Sequence, residues 1–173
     1  MKKNLTKAES LQFLSSYQKF LNIKIPIFFF VSKNDFKTNE TKILNIIEKK
    51  FNKKKIIIRS SSLQEDKENN SNAGKFKSFG NINNDNKIEI KKRIYEIVKD
   101  FDNSKDQILI QEYIQTPKVS GVIFTRDIKK NSPYCTINYD LSGRTDLITS
   151  GKINPTMQTV TIFNKNIKNF NFF

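Results

Sequence analysis

The longest apolar run in the chain, Ile25-Pro26-Ile27-Phe28-Phe29-Phe30-Val31, is the feature that most narrows the fold. It falls far short of the roughly 20 apolar residues that span a membrane, and Pro26 interrupts any helix there. Its β-branched and aromatic content fits a short buried strand. Before it, Ala8, Leu11, Leu14, Tyr17, Phe20 and Leu21 recur three or four apart between Leu5 and Leu21, the period of one helix face. After it comes a polar loop, Ser32 to Lys37. Thr38 then caps a second helix running through Phe51, with Ile43, Leu44, Ile46, Ile47 and Phe51 facing inward and Lys49, Lys50 and Lys53 near its negative end. Lys55-Ile56-Ile57-Ile58-Arg59 reads as another buried strand, ending in three serines.

The stretch from Leu63 to Gly74 is polar and aperiodic, a loop of about a dozen residues, a length that is usually functional or disordered. A weak strand around Phe76 to Asn81 and a turn at Asn83 to Asn86 lead to a third helix, Lys87 to Asp100, with Ile90, Ile94, Ile97 and Val98 inward. Four strand candidates follow: Gln107 to Ile114, Val119 to Asp127, Tyr134 to Tyr139 and Thr156 to Phe163. No internal repeat or low-complexity linker divides the chain, so a single α+β unit over residues 1–173 is expected.

Composition removes several chemistries. The 173 residues include no His, which excludes a Ser-His-Asp triad, a His-ligated zinc and a phosphohistidine carried by this chain. A single cysteine, Cys135, cannot form an internal disulfide, and a soluble protein of a reducing cytoplasm is expected. The N-terminus, MKKNLTKAES, lacks the apolar stretch of a signal peptide. The formal charge of +14 invites a nucleic-acid reading. Against it, only Arg59, Arg93, Arg126 and Arg144 among 31 basic residues are arginine, Lys is scattered beside abundant Asn and Ile, and the aromatics sit mostly at core positions. A nucleic-acid partner is therefore not expected, nor is a membrane.

The strongest local feature is Arg59-Ser60-Ser61-Ser62-Leu63-Gln64-Glu65-Asp66. A guanidinium at the end of a buried strand, followed by hydroxyls, suits a polyphosphate, because Arg offers forked donors and the hydroxyls add more. The alternative is an Arg paired with Glu65 or Asp66 beside an ordinary serine turn. Ser71-Asn72-Ala73-Gly74 offers a Gly where a backbone can approach a ligand closely, or simply a turn.

Ile58-Arg59-Ser60-Ser61, Glu65-Asp66, Asn72-Ala73-Gly74 and Phe79-Gly80-Asn81-Ile82 resemble, in order, the V-R-S-S, E-D, F-A-G and L-N-V words of one nucleotide-binding domain. It is the ATP-binding domain shared by phosphoenolpyruvate synthase and pyruvate phosphate dikinase. Ile110-Gln111-Glu112-Tyr113-Ile114 is similar to that family's V-Q-x-M-V strand, and Ser120-Gly121-Val122-Ile123-Phe124-Thr125-Arg126-Asp127 to its S-G-V-x-F-T-x-D segment. Thr6-Lys7-Ala8-Glu9-Ser10-Leu11 resembles the G-K-G-x-x-L opening. The landmarks run in register over about residues 5 to 163.

The resemblance implies an ATP-grasp-like fold, with ATP between two α+β lobes. It implies that Lys7 and Arg59 contact ATP phosphates, that Ser60 and Ser61 shape the strand end, and that the loop at Gly74 closes over the nucleotide. Gln111, Glu112, Tyr113, Ile114 and Thr125 would line the cleft. Asp146 would stand where the family has Glu, a carboxylate one methylene shorter at the adenosine or metal contact. Asn138-Tyr139-Asp140 and Ser142 to Asp146 are more similar to a branch that includes glutamine kinase, so the phosphoryl acceptor would be pyruvate or an amide such as glutamine. The family's Mg²⁺ and γ-phosphate motif and its phosphohistidine domain lie further on, so the metal ligands are expected mainly outside this chain. The expectation is an incomplete, N-terminal part of the ATP-binding domain, completed by a downstream polypeptide and not catalytic alone. A regulatory or inactive remnant is the alternative, and no catalytic residue is assigned.

Overall fold

The computed structural model describes residues 5–62, 77–115, 117–127, 130, 132–142 and 156–163. Contacts divide the chain into two compact units, Met1–Gln115 and Thr116–Phe173. Both are built on antiparallel sheets, and with the helices of the first they make the protein α+β. Among the described residues no helix is long and apolar enough to cross a membrane.

The first unit contains α1 (Lys7–Tyr17), β1 (Phe28–Ser32), α2 (Lys33–Thr38), α3 (Glu40–Phe51), β2 (Lys55–Ser61), β3 (Ser78–Asn83), α4 (Lys87–Val98) and β4 (Gln107–Glu112). Its four strands lie in the order β1-β4-β2-β3. Directly opposed residues of an antiparallel pair share a face, so the register sorts every side chain. Phe29, Ile110, Ile58 and Phe79 form one row across the sheet, and Val31, Ile108 and Ser60 the next. This face packs on Ile43, Leu44, Ile47 and Phe51 of α3, Phe36 of α2 and Ile90, Ile94, Ile97 and Val98 of α4 in one core. The inward residues of α4 are those its helical period predicts.

Several expectations need correction. The stretch from Ser32 to Lys37 is not a loop: the Ser32 side chain accepts from Asp35 N at 3.0 Å and starts α2. Thr38 closes α2, and Asn39 stands at the N-cap of α3. The α1 helix is shorter than its apolar period, and of that stripe only Ala8 is buried; Leu14 and Tyr17 are exposed, and Phe20 and Leu21 lie past the helix end. In β3, Ile56 faces Ile82 while Ile58 faces Phe79, so Gly80 and Asn81 together oppose Ile57 as a bulge. Asn81 takes φ 62°, a left-handed conformation that Asn tolerates better than most residues. The bulge brings Ile82 to the core side beside Phe79, which simple alternation does not predict.

The second unit is a meander of β5 (Ser120–Phe124), β6 (Tyr134–Asp140) and β7 (Met157–Phe163) in that order. Its apolar face gathers Cys135, Ile137 and Ile162, with Tyr139 and Val160 against them. At the end of β6 the buried Asp140 carboxylate accepts from Ser142 N at 2.8 Å and from the hydroxyls of Ser142 and Thr156, joining β6 to the start of β7.

Candidate functional site

The sheet face opposite the helical core carries Arg59, Ser61 and Gln111 of the sequence-predicted site residues. Phe30, Leu109, Arg59 and Ser78 form its central row, with Phe28, Gln111 and Ile57 on one side and Ser32, Gln107 and Ser61 on the other. Arg59 and Gln111 are therefore diagonal neighbours on adjacent strands, within reach of long side chains.

The start of α1 is pinned to this face by side chains rather than by a large apolar contact. Thr6 Oγ1 accepts from Glu9 N at 3.2 Å and Glu9 Oε2 accepts from Thr6 N at 3.0 Å, a reciprocal capping box. The Thr6 hydroxyl donates to Gln107 Oε1 at 2.8 Å, and the Ser61 hydroxyl accepts from Ala8 N at 2.9 Å. These bonds fix the first helical residue, Lys7, above the central row. Lys7, Arg59 and Gln111 consequently line one open pocket of about 340 Å³, with Leu5, Ser10 and Leu11 as walls and Leu109 among its lining.

The amides of Ala8 and Glu9 are already bonded to hydroxyls, so they are not donors to a ligand at this helix start. The pocket's positive charge comes from the side chains of Lys7 and Arg59. Among the described residues no ion pair engages the Arg59 guanidinium. Glu65 and Asp66, the alternative partners that the sequence suggests, lie outside the described residues.

Strand alternation separates the other predicted residues from this pocket. Ser60 sits on the core face in the row of Val31 and Ile108, buried, with its N–H donating to Lys77 O at 3.2 Å. Ser61 is on the pocket face, and its hydroxyl holds α1. Glu112 shares a row with Ile56 and Ile82 and meets Lys54 Nζ at 2.8 Å. The hydrogen bond from Lys54 lowers its pKa below the ordinary carboxylate value against the opposing effect of burial, with smaller help from the Lys54 and Lys24 charges. Ser62, beyond the strand, donates to Asp106 Oδ1 at 2.7 Å and anchors the loop before β4. Thr125 follows β5 in the second unit and is exposed. Gly74 and Asp146 lie outside the described residues.

The pocket residues not foreseen were legible in part. Ser10 and Leu11 stand three and four residues after Lys7, the same-face spacing of a helix, and Leu109 shares the period-two face of Gln111. Leu5, before the helix, carries no such signal. Among the described residues, no group of three or more His, Cys, Asp or Glu side chains is placed to hold a metal ion.

No family model and no curated protein matches the chain.

Proposed function

We propose that the pocket of Lys7, Arg59 and Gln111 binds the polyphosphate of ATP, and that the protein is the nucleotide-binding part of a phosphoenolpyruvate-synthase-like phosphotransferase with an ATP-grasp-like fold. The observation that carries this reading is the convergence of Lys7 and Arg59, far apart in sequence, on one open pocket. A guanidinium offers forked donors to phosphate oxygens, and an ammonium adds a compact charge. The Gln111 amide supplies a neutral donor and acceptor alongside them. The apolar side chains of Leu5, Leu11 and Leu109 lower the local polarity and strengthen the charge-assisted bonds.

On this reading Mg²⁺ bound to the nucleotide would neutralise phosphate charge, and the acceptor would be pyruvate or an amide such as glutamine. The role of this chain's residues is positioning: Ser61 and Thr6 hold α1, α1 holds Lys7, and the β2–β4 register holds Arg59 beside Gln111. Arg59→Ala should weaken ATP binding by about 1 to 3 kcal/mol, the scale of a lost charge-assisted hydrogen bond, without altering thermal stability. Calorimetric titration of Mg-ATP into both proteins tests it. Equal affinities would remove Arg59 from the site and with it the basis of this reading.

A further inference from the structure

The strand β1 is an outer strand of its sheet, with β4 on one side only. Ile27 O accepts from Glu112 N at 2.8 Å and Lys33 N donates to Asp106 O at 2.8 Å. Odd-numbered backbone groups therefore face β4, and strand alternation turns the N–H and C=O of Phe28 and Phe30 outward. Among the described residues those outward groups have no hydrogen-bond partner. Natural sheet edges are usually blunted by a charge, a proline or a bulge. Pro26 stands at the start of this edge, but Phe28-Phe29-Phe30-Val31-Ser32 itself has none of these.

A groove of about 530 Å³ runs beside this edge. Ile25 to Phe30 line it, with Gln12 and Ser15 of α1 toward the Phe28 and Phe30 side and Lys50 of α3 toward the Phe29 side. Helices therefore wall the edge on both faces. A recessed edge admits a single extended segment, whereas a second copy of this chain would bring its own helices against those walls. The charge is one-sided as well: no Asp or Glu occurs from Ser10 to Asn34.

We infer that the β1 groove is a docking site for an extended, acidic segment of a partner protein, which adds a strand to the sheet. Backbone groups of Phe28 and Phe30 supply the pairing, as in other cases of strand addition. Alternate side chains of the added strand point to opposite faces. Those on one face are apolar and lie against Phe28 and Phe30; those on the other are carboxylates facing Lys50. This site is on the β1 edge and does not depend on the nucleotide reading.

The probe is a synthetic peptide of about eight residues alternating glutamate and valine, a usual strand length, with a lysine-valine peptide as its control. Binding to the full chain is followed by fluorescence anisotropy, and amide exchange of Phe28 and Phe30 is followed by NMR. The acidic peptide should bind and slow exchange at both amides, and the basic peptide should not. Phe30→Pro removes an outward N–H while sparing the bonds to β4, and should weaken binding at least about tenfold. Lys50→Glu, on an exposed helix surface, leaves the fold untouched and should reverse the preference between the two peptides. Three results would each overturn the proposal: no binding, binding without protection of Phe28 and Phe30, or protection of those amides by self-association as protein concentration rises.

Discussion

The two units solve the same problem, an antiparallel sheet with one apolar face, with different means. In the first, α2, α3 and α4 close that face, so that Ile47, Ile56, Ile58, Ile90, Ile94, Ile108 and Ile110 are wholly buried. In the second, the buried apolar residues described are Cys135, Ile137 and Ile162, and Ile123, in the same row as Ile137 and Val160, remains 59% exposed. A sheet without described helices over it leaves its outer strand's apolar side chains in water. The difference bears on function: a register locked by a deep core can hold Arg59 and Gln111 at fixed separation, while Thr125 follows a thinly covered strand. Rigid support of this kind is what precise binding geometry requires.

The largest expected effect tests that depth. Ile58→Ala removes a wholly buried side chain at the centre of the first sheet and should cost about 2 to 5 kcal/mol, whereas Ile123→Ala in the second unit should fall within about 0.5 kcal/mol, as exposed substitutions do. Paired denaturant melts compare them, and similar losses would break the contrast. Next comes Ser61→Ala, which leaves the buried Ala8 N–H without its acceptor. A loss of about 1 to 3 kcal/mol follows, with faster amide exchange at the start of α1 and, if the pocket takes ATP as proposed, weaker ATP binding because Lys7 is no longer held. Unchanged exchange would show that the helix is fixed by other means.

Gly121 offers a smaller test in the second unit. A Cβ there would stand 2.8 Å from Asn138 O on β6, and the outer strand must shift to accept it. Gly121→Ala should therefore cost about 1 kcal/mol, the low end for overpacking because an edge strand can move. Thermal melts that show no change would mean that the edge strand takes up the added methyl without loss. The smallest effect is at Glu112. Its lowered pKa means that the Lys54 pair stabilises the fold above the ordinary carboxylate pKa, and that this is lost as the pH falls through the lowered value. Because Lys54 is nearly half exposed, the stability gap between the protein and Glu112→Gln should be under about 1 kcal/mol at neutral pH and close in acid. A gap that widens in acid would reverse the sign assigned here.

Sequence by itself determined the elements whose burial follows a single period. In α4, Ile90, Ile94, Ile97 and Val98 face one core, and Lys55 to Arg59 form a strand, because local spacing sets which side of an element is apolar. It also determined that no histidine chemistry is available, but the strand read as ending at Arg59 runs on through Ser60 and Ser61, which pair with Ile108 and Gln107. Tertiary structure alone decided which helix stripes are covered: α1 and α3 both have an apolar period, but α3 buries Ile43, Leu44, Ile47 and Phe51 in the core, whereas α1 meets the opposite sheet face only at its start and buries Ala8 alone of its stripe. The same holds for the bulge at Asn81, which moves Ile82 to the core, and for the opposite fates of Ser60 and Ser61. Their faces follow from alternation, but which face is core depends on where α3 and α4 pack. The pocket itself is a product of register. Lys7, Arg59 and Gln111 meet because β2 and β4 pair at Ile57 and Gln111 and because Ser61 accepts the Ala8 amide, long-range contacts that no local spacing encodes.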